Sequence, residues 1–211
     1  MRWREALFFL SVAVARPVPA NQAYDELYRL YDYPPTLSRS AVPVCFHHGC
    51  ATVRQVRIDD ADWERVISHL LPAASDATGE REQIRRAIAE LEQVTGVLAG
   101  TAGDRGGDLS GLGTLDPQMD CIDESSNTTT YLTLLEQHGL LRWHSVERRA
   151  HRGYLFFGGW PHYTAVIRDR GTDRRWVVDS WFRDNGQPPE VVELELWKAG
   201  WDPEDPAPQS R

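Results

Sequence analysis

The sequence predicts an α+β fold, with helices in the first part of the chain and an antiparallel sheet in the last part. Apolar residues recur at three- and four-residue steps over residues 80–98, which is the period of a helix with one buried face. A further helical segment starts at Asp120, a good N-cap residue, and stops at Gly139. After Gly139 the pattern changes to short alternating segments that are typical of strands.

The first twenty residues have the features of a secretory signal peptide. Residues 1–4 carry positive charge, residues 6–15 form an apolar run, and Ala20 is a small residue suited to cleavage. The run is too short to cross a bilayer, which takes about 20 residues. The alternative is an N-terminal helix packed on the domain, which the nearby charges of Glu5 and Arg16 favour. We expect export to the periplasm or beyond the cell.

Five elements, three helices and two strands, are predicted between the signal segment and the glycine-rich loop. Residues 24–33 form a short helix that the following Pro-Pro dipeptide stops. Residues 42–58 alternate as two strands of a hairpin. The Asp-Asp pair at 59–60 caps a helix that runs to Leu71, before a proline, and the long helix 80–98 follows.

Residues 99–117 are rich in glycine and form a loop that is long for a compact domain, which favours a functional role. Its glycines match neither a P-loop nor a dinucleotide-binding fingerprint, and we predict no cofactor. The loop leads into the helix that Asp120 caps. Cys121 therefore lies at the N-terminus of a helix.

The last part of the chain is predicted to form four strands, at residues 141–146, 153–157, 162–168 and 175–182. The last two are adjacent in sequence, joined by a polar turn at residues 169–174, and form a hairpin.

The chain as a whole is expected to be one domain over residues 21–201, followed by an acidic, proline-rich tail at 202–211 that is predicted to be disordered. The net charge of −8 argues against a nucleic-acid partner, because phosphate binding needs a basic face. The arginines between 142 and 152 are interpreted as a solvated strand edge.

The three cysteines divide into a close pair and a single residue. Cys45 and Cys50 flank a four-residue spacer between extended segments, which favours a disulfide. Cys121 is then the free thiol. The same segment also contains His47 and His48, so a metal site is the alternative, although six residues are few to surround an ion.

Cys121, His162 and Asp179 together predict nucleophilic catalysis. A cysteine at a helix N-terminus beside an imidazolium forms a thiolate more easily, and the imidazole needs a third group to orient it. With a two- or four-residue loop at the turn, His162 lies opposite Asp179 or diagonal to it, on the same face. Asp179 also interrupts an otherwise apolar strand, where a carboxylate needs a partner.

The order of these residues resembles the transglutaminase-like superfamily with its papain-type core, including its bacterial cysteine peptidases. The motifs are Asp-Cys121-Ile-Asp-Glu, Trp-Pro-His162-Tyr-Thr-Ala-Val-Ile and Trp-Val-Val-Asp179-Ser-Trp-Phe, and the resemblance covers about residues 116–182. It implies a nucleophile helix packed on an antiparallel sheet, with Cys121 as nucleophile, His162 as base and Asp179 as the orienting residue.

The resemblance also implies a reaction class, in which an amide or peptide bond of a protein or peptide substrate is attacked through a thioester. The Cys121 backbone N–H is the obvious oxyanion donor, and Gln118 and Trp160 are further candidates. The alternative is a non-catalytic interaction module with the same fold, because inactive scaffolds occur in this superfamily. The substrate and the oligomeric state are left open.

Overall fold

The structure is a computed structural model and describes residues 22–107, 117–153 and 161–204. The predicted signal peptide and most of the predicted disordered tail lie outside these residues. The described elements, in chain order, are α1 (Gln22–Leu30), β1 (Val42–Phe46), β2 (Thr52–Val56), α2 (Asp60–Ser68), α3 (Ala77–Ala99), α4 (Cys121–Gln137), β3 (His144–Arg152), β4 (His162–Asp169), β5 (Arg175–Asp179), β6 (Glu190–Glu193) and α5 (Leu194–Lys198).

These elements confirm the predicted mixed α+β class. Strands β1 and β2 form the predicted hairpin, and β3 to β6 form an antiparallel sheet in the order β3-β4-β5-β6. Helix α4 packs on β4, and the short helix α5 contacts β5 and β6. Within the described residues, none of the helices combines the length and the apolar character needed to cross a membrane.

Side chains of the sheet alternate between two apolar clusters. Ala165 and Val178 belong to the main core, which also holds the leucines of α4. Val166 and Val177 belong to a second cluster on the opposite face, together with Trp197 of α5. Helices α4 and α5 therefore cover opposite faces of the sheet.

Strand β3 contains a one-residue bulge between Glu147 and Ala150, where its pairing with β4 shifts. Before the bulge, Val146 packs against the main core, and after it Ala150 packs against the second cluster. Arg149 consequently points toward α4, where it donates to the Ser126 hydroxyl at 2.7 Å.

Glu80 fixes the start of β3. Its carboxylate is buried and accepts hydrogen bonds from the backbone N–H groups of Arg142, Trp143 and His144, and it lies 2.9 Å from the His144 ring. These bonds hold the pKa of Glu80 below its ordinary value in spite of the opposing effect of burial. The predicted strand at 141–146 therefore begins later, at His144, and continues to Arg152.

Other boundaries differ from the predictions. The predicted strand at 153–157 is wrong at Gly153, which is not in a strand, and its other residues lie outside the described ones. The strand predicted at 175–182 stops at Asp179. The helix predicted to reach Leu71 ends at Ser68. Strand β6 and helix α5 were not predicted.

Candidate active site

The predicted disulfide between Cys45 and Cys50 is present, with Cα atoms 4.7 Å apart, and Cys121 is the free cysteine. The disulfide joins the end of β1 to the turn that leads into β2. Because each of the two sulfurs is bonded to the other, neither is available as a thiolate ligand. The alternative metal site at this segment thus loses two of its four donors.

Cys121 is the first residue of α4, as predicted. Asp120 caps the helix, and its carboxylate accepts hydrogen bonds from the N–H groups of Ile122 and Asp123, at 2.9 Å each. The Asp123 side chain in turn accepts from the Asp120 N–H, which completes a capping box. The start of the helix, and with it the position of Cys121, is therefore fixed from both sides.

The helix that carries Cys121 is buried along almost its whole length, although many of its residues are polar. Three hydroxyls bond back to carbonyls one turn earlier: Ser126 to Ile122, Thr130 to Ser126, and Thr133 to Thr129. These local bonds satisfy three of the buried hydroxyls, which helps α4 to occupy the centre of the molecule. Its burial brings the Cys121 end against β4.

His162 and Asp179 form a direct pair, with Nε2 of the ring 2.7 Å from Oδ2 of the carboxylate. Ala165 pairs with Val178, which places Asp179 opposite Thr164 and His162 on the diagonal. The diagonal arrangement is one of the two that the hairpin predicts. Both side chains lie on the sheet face that α5 covers.

Trp197 of α5 completes this pair. Its indole N–H donates to Oδ2 of Asp179 at 2.8 Å, so that one carboxylate oxygen accepts from both side chains. The rings of Trp181, Phe182 and Trp197 surround His162, with centroids 4.8, 5.2 and 5.4 Å from its own. No pattern in the sequence indicates the role of Trp197.

The Cys121 thiol contacts the main chain on both sides of His162. Its Sγ lies 3.7 Å from the Pro161 carbonyl oxygen, and the Tyr163 N–H donates to it. Within the described residues, no hydrogen bond joins the thiol to the His162 ring. His162 and Asp179 are therefore joined directly, whereas the Cys121 thiol contacts main-chain groups beside them.

Burial dominates the acidity of the thiol. Cys121 is 6 % exposed, and this burial raises its pKa to about 12, with smaller upward effects from Asp120 and Asp179. The Tyr163 N–H acts in the opposite direction. Cys121 is thus a protonated thiol at neutral pH, and a nucleophile forms only if its proton is transferred to a base.

Of the two side chains predicted to stabilise the oxyanion, Gln118 and Trp160, the structure describes only Gln118. The Gln118 side chain is buried, accepts from the Arg105 N–H at 3.0 Å, and donates to the Gly103 carbonyl at 3.1 Å. Its amide therefore holds the glycine-rich loop, with one of its two N–H hydrogens engaged there. Trp160 lies outside the described residues.

Three acidic side chains lie behind the first turns of α4. Glu92, Asp104 and Glu124 are buried, and Glu92 accepts from the Gly186 N–H at 3.1 Å. Burial raises the pKa of Glu92 to about 7 and raises that of Glu124 well above its ordinary value, helped by the neighbouring Glu92 and Asp104. Ser180 directly follows Asp179 in the chain. Its hydroxyl bonds to that of Thr128 in α4 at 2.9 Å, which links α4 to the strand that carries Asp179.

Comparison of the chain with protein-family models, curated proteins and solved structures finds no match.

Proposed function

We propose that this protein is an exported thiol hydrolase or acyltransferase of the transglutaminase-like, papain-type class, acting on an amide or peptide bond. The observation that carries the proposal is the buried His162–Asp179 pair at 2.7 Å, next to the main-chain segment that holds the free thiol of Cys121. A carboxylate on Nε2 leaves Nδ1 of the ring to accept a proton. The Cys45–Cys50 disulfide supports export, because disulfides persist in oxidising compartments.

In the proposed reaction, a movement at the start of β4 brings Nδ1 of His162, which lies on the α5 face of the sheet, within reach of the Cys121 sulfur on the α4 side. The thiol proton passes to the ring as the sulfur bonds to the substrate carbonyl carbon. The imidazolium then protonates the leaving amine, the C–N bond breaks, and a thioester remains. Water or a second amine, deprotonated by His162, attacks the thioester and regenerates the thiol.

Asp179 and Trp197 orient the base in this reaction. The carboxylate keeps the proton of the neutral ring on Nε2 and stabilises the imidazolium that forms. The Trp197 indole holds the same carboxylate oxygen, and the three aromatic rings around His162 restrict the ring plane. We assign the backbone N–H of Cys121, at the start of α4, as the hydrogen-bond donor that stabilises the oxyanion.

A non-catalytic interaction module is the second candidate. The burial of Cys121, its raised pKa and the missing thiol-to-imidazole hydrogen bond favour it. In that case His162, Asp179 and Trp197 form a buried hydrogen-bonded group that serves only stability.

Alkylation of the native protein with iodoacetamide across pH 5–9, followed by mass spectrometry, separates the two candidates. Because Cys45 and Cys50 are in a disulfide, only Cys121 is available to react. If His162 is the base, His162→Ala lowers the alkylation rate on the order of 100-fold and changes its dependence on pH. His69→Ala, at the end of α2, is the control. If His162→Ala leaves the pH profile unchanged, the interaction module is correct.

A further inference from the structure

The disulfide loop, residues 45–50, has an unusual backbone. His47, His48, Gly49 and Cys50 are consecutive residues in the left-handed region, with φ of 67°, 62°, 67° and 57°. Only one of the four is glycine, so the conformation is unfavourable for the other three unless something holds it. Such runs direct successive N–H groups toward one side, where they form a site for an anion.

The carboxyl group of Asp123 occupies this site; burial and the neighbouring Asp120 raise its pKa to about 8, against the lowering effect of the N–H donors. The His48 N–H donates to its Oδ2 at 2.7 Å, and the Cys50 N–H donates to its Oδ1 at 2.6 Å. The Asp120 N–H adds a third bond, to Oδ2, at 3.2 Å. Asp123 is completely buried, so its carboxylate depends on these donors in place of water.

Other main-chain groups of the disulfide loop also bind residues in α4 or just before it. The Gly49 N–H donates to Oδ2 of Asp120 at 3.0 Å, and the His47 N–H donates to the Gln118 carbonyl at 3.2 Å. At the other end of the loop, the Asn127 amide bonds to both the N–H and the carbonyl of Cys45, at 2.7 and 2.9 Å. The loop therefore forms hydrogen bonds with residues before and after Cys121.

We propose that Asp123 is the positioning residue for Cys121, and that the disulfide loop is the part of the protein that holds Asp123. Asp123 lies in the same helical turn as Cys121, and its carboxylate ties that turn to β1 and β2 through the loop. Removal of the carboxylate or of the disulfide releases the first turn of α4 and frees the thiol from the Pro161 and Tyr163 main chain. The role of Asp123 in catalysis rests on the proposed function.

The test measures release of the thiol in a His162→Ala background, so that catalytic activation does not contribute. In this background Cys121 is alkylated slowly at pH 8 because it is buried. Asp123→Ala, Asp123→Asn and the double variant Cys45→Ala/Cys50→Ala are compared with Asp76→Ala, which removes a similar carboxylate cap from α3. The released thiol titrates near its ordinary pKa of about 8.5, and we expect alkylation to be more than about tenfold faster.

Urea separates local release from general instability. Local release gives a rate that stays constant as urea is added below the unfolding transition, whereas reaction through global unfolding rises steeply with urea. We expect a constant, fast rate for both Asp123 variants and for the double cysteine variant, and a slow rate for Asp76→Ala. Asp123 variants that react as slowly as the parent, or with the same urea dependence as Asp76→Ala, overturn the inference. Failure of the proposed function shows separately, as a wild-type profile that does not depend on His162.

Discussion

His162 and Asp179 are joined across the diagonal of the β4–β5 pair, with 2.7 Å between Nε2 and Oδ2. The carboxylate accepts from the ring and from the Trp197 indole, and both side chains are buried. The geometry fixes which nitrogen of the neutral ring carries the proton, because a carboxylate can only accept. This relationship is the basis of the first two predictions.

Asp179→Asn is expected to reverse the tautomer of His162. The amide can donate to Nε2, which places the ring proton on Nδ1 and removes the base that the Cys121 thiol requires. We expect the alkylation rate to fall by up to about 100-fold, which is the loss expected for His162→Ala. The measurement is iodoacetamide alkylation between pH 5 and 8. Asp173→Asn, at the exposed turn of the same hairpin, should behave like the wild type, and an unaltered profile for Asp179→Asn contradicts the assignment.

Trp197→Phe removes the second donor to Asp179 and keeps an aromatic ring beside His162. Loss of a buried hydrogen bond to a charged group is expected to lower the free energy of unfolding by about 1.5–3 kcal/mol, measured by urea denaturation. Trp201→Phe changes an aromatic side chain that contacts Phe182 and serves as the matched control. Equal effects of the two substitutions would mean that ring volume matters and the hydrogen bond does not.

The buried carboxyl groups of Glu92 and Glu124 predict a stability that decreases as the pH rises. Burial raises the pKa of Glu92 to about 7 and raises that of Glu124 well above its ordinary value, so the folded state keeps protons that the unfolded chain releases near pH 4.5. Stability from these groups is complete below pH 4.5 and is lost as the pH rises through the folded pKa values.

Urea denaturation at pH 5 and pH 8 measures this effect. We expect a lower free energy of unfolding at pH 8, and a smaller difference in the variant Glu92→Gln/Glu124→Gln. Glu80 does not interfere, because its lowered pKa acts only below this range. Glu64→Gln, on the exposed side of α2, is the control. A free energy that is constant or increases from pH 5 to pH 8 contradicts the prediction.

Gly106→Ala is expected to disturb the site from a distance. A Cβ atom at Gly106 would lie 2.5 to 2.7 Å from main-chain atoms of Arg183, which directly follows the aromatic residues beside His162. Overpacking of this kind costs about 1–3 kcal/mol, and the shift of the main chain should also lower Cys121 reactivity. Gly103→Ala, in the same loop, meets no atom within 4 Å and should change stability by less than about 0.5 kcal/mol. Thermal unfolding of the two variants gives the comparison.

The sequence could predict the parts of the site that depend on local rules. Asp120 is a helix cap, which places Cys121 at the first position of α4, and the turn length of one hairpin places His162 on the same face as Asp179. The disulfide between Cys45 and Cys50 follows from their spacing. Each of these predictions requires only neighbouring residues or one turn.

The parts that could not be predicted depend on long-range packing. Trp197 reaches Asp179 only because β6 and α5 bring it back across the sheet. Helix α5 is short and has no apolar period, so the sequence does not indicate that it packs there. The serine and threonine residues of α4 resemble a solvated face, yet they are buried. Burial then raises the pKa of Cys121, against the lowering that its position at a helix N-terminus predicts.

The bulge in β3 is the place where this strand can absorb a change in its length. Because of the extra residue, Arg149 reaches Ser126 on the α4 side while Arg152 lies over the Trp197 ring on the other. Deletion of Arg148 would remove the bulge and leave a regular strand, in which Glu147 and Ala150 still face the same side as their partners on β4. Deletion of a residue outside the bulge would instead exchange the inward and outward positions on one side of it. Over evolutionary time, this strand is expected to accept substitutions, and to accept a change of length only at the bulge.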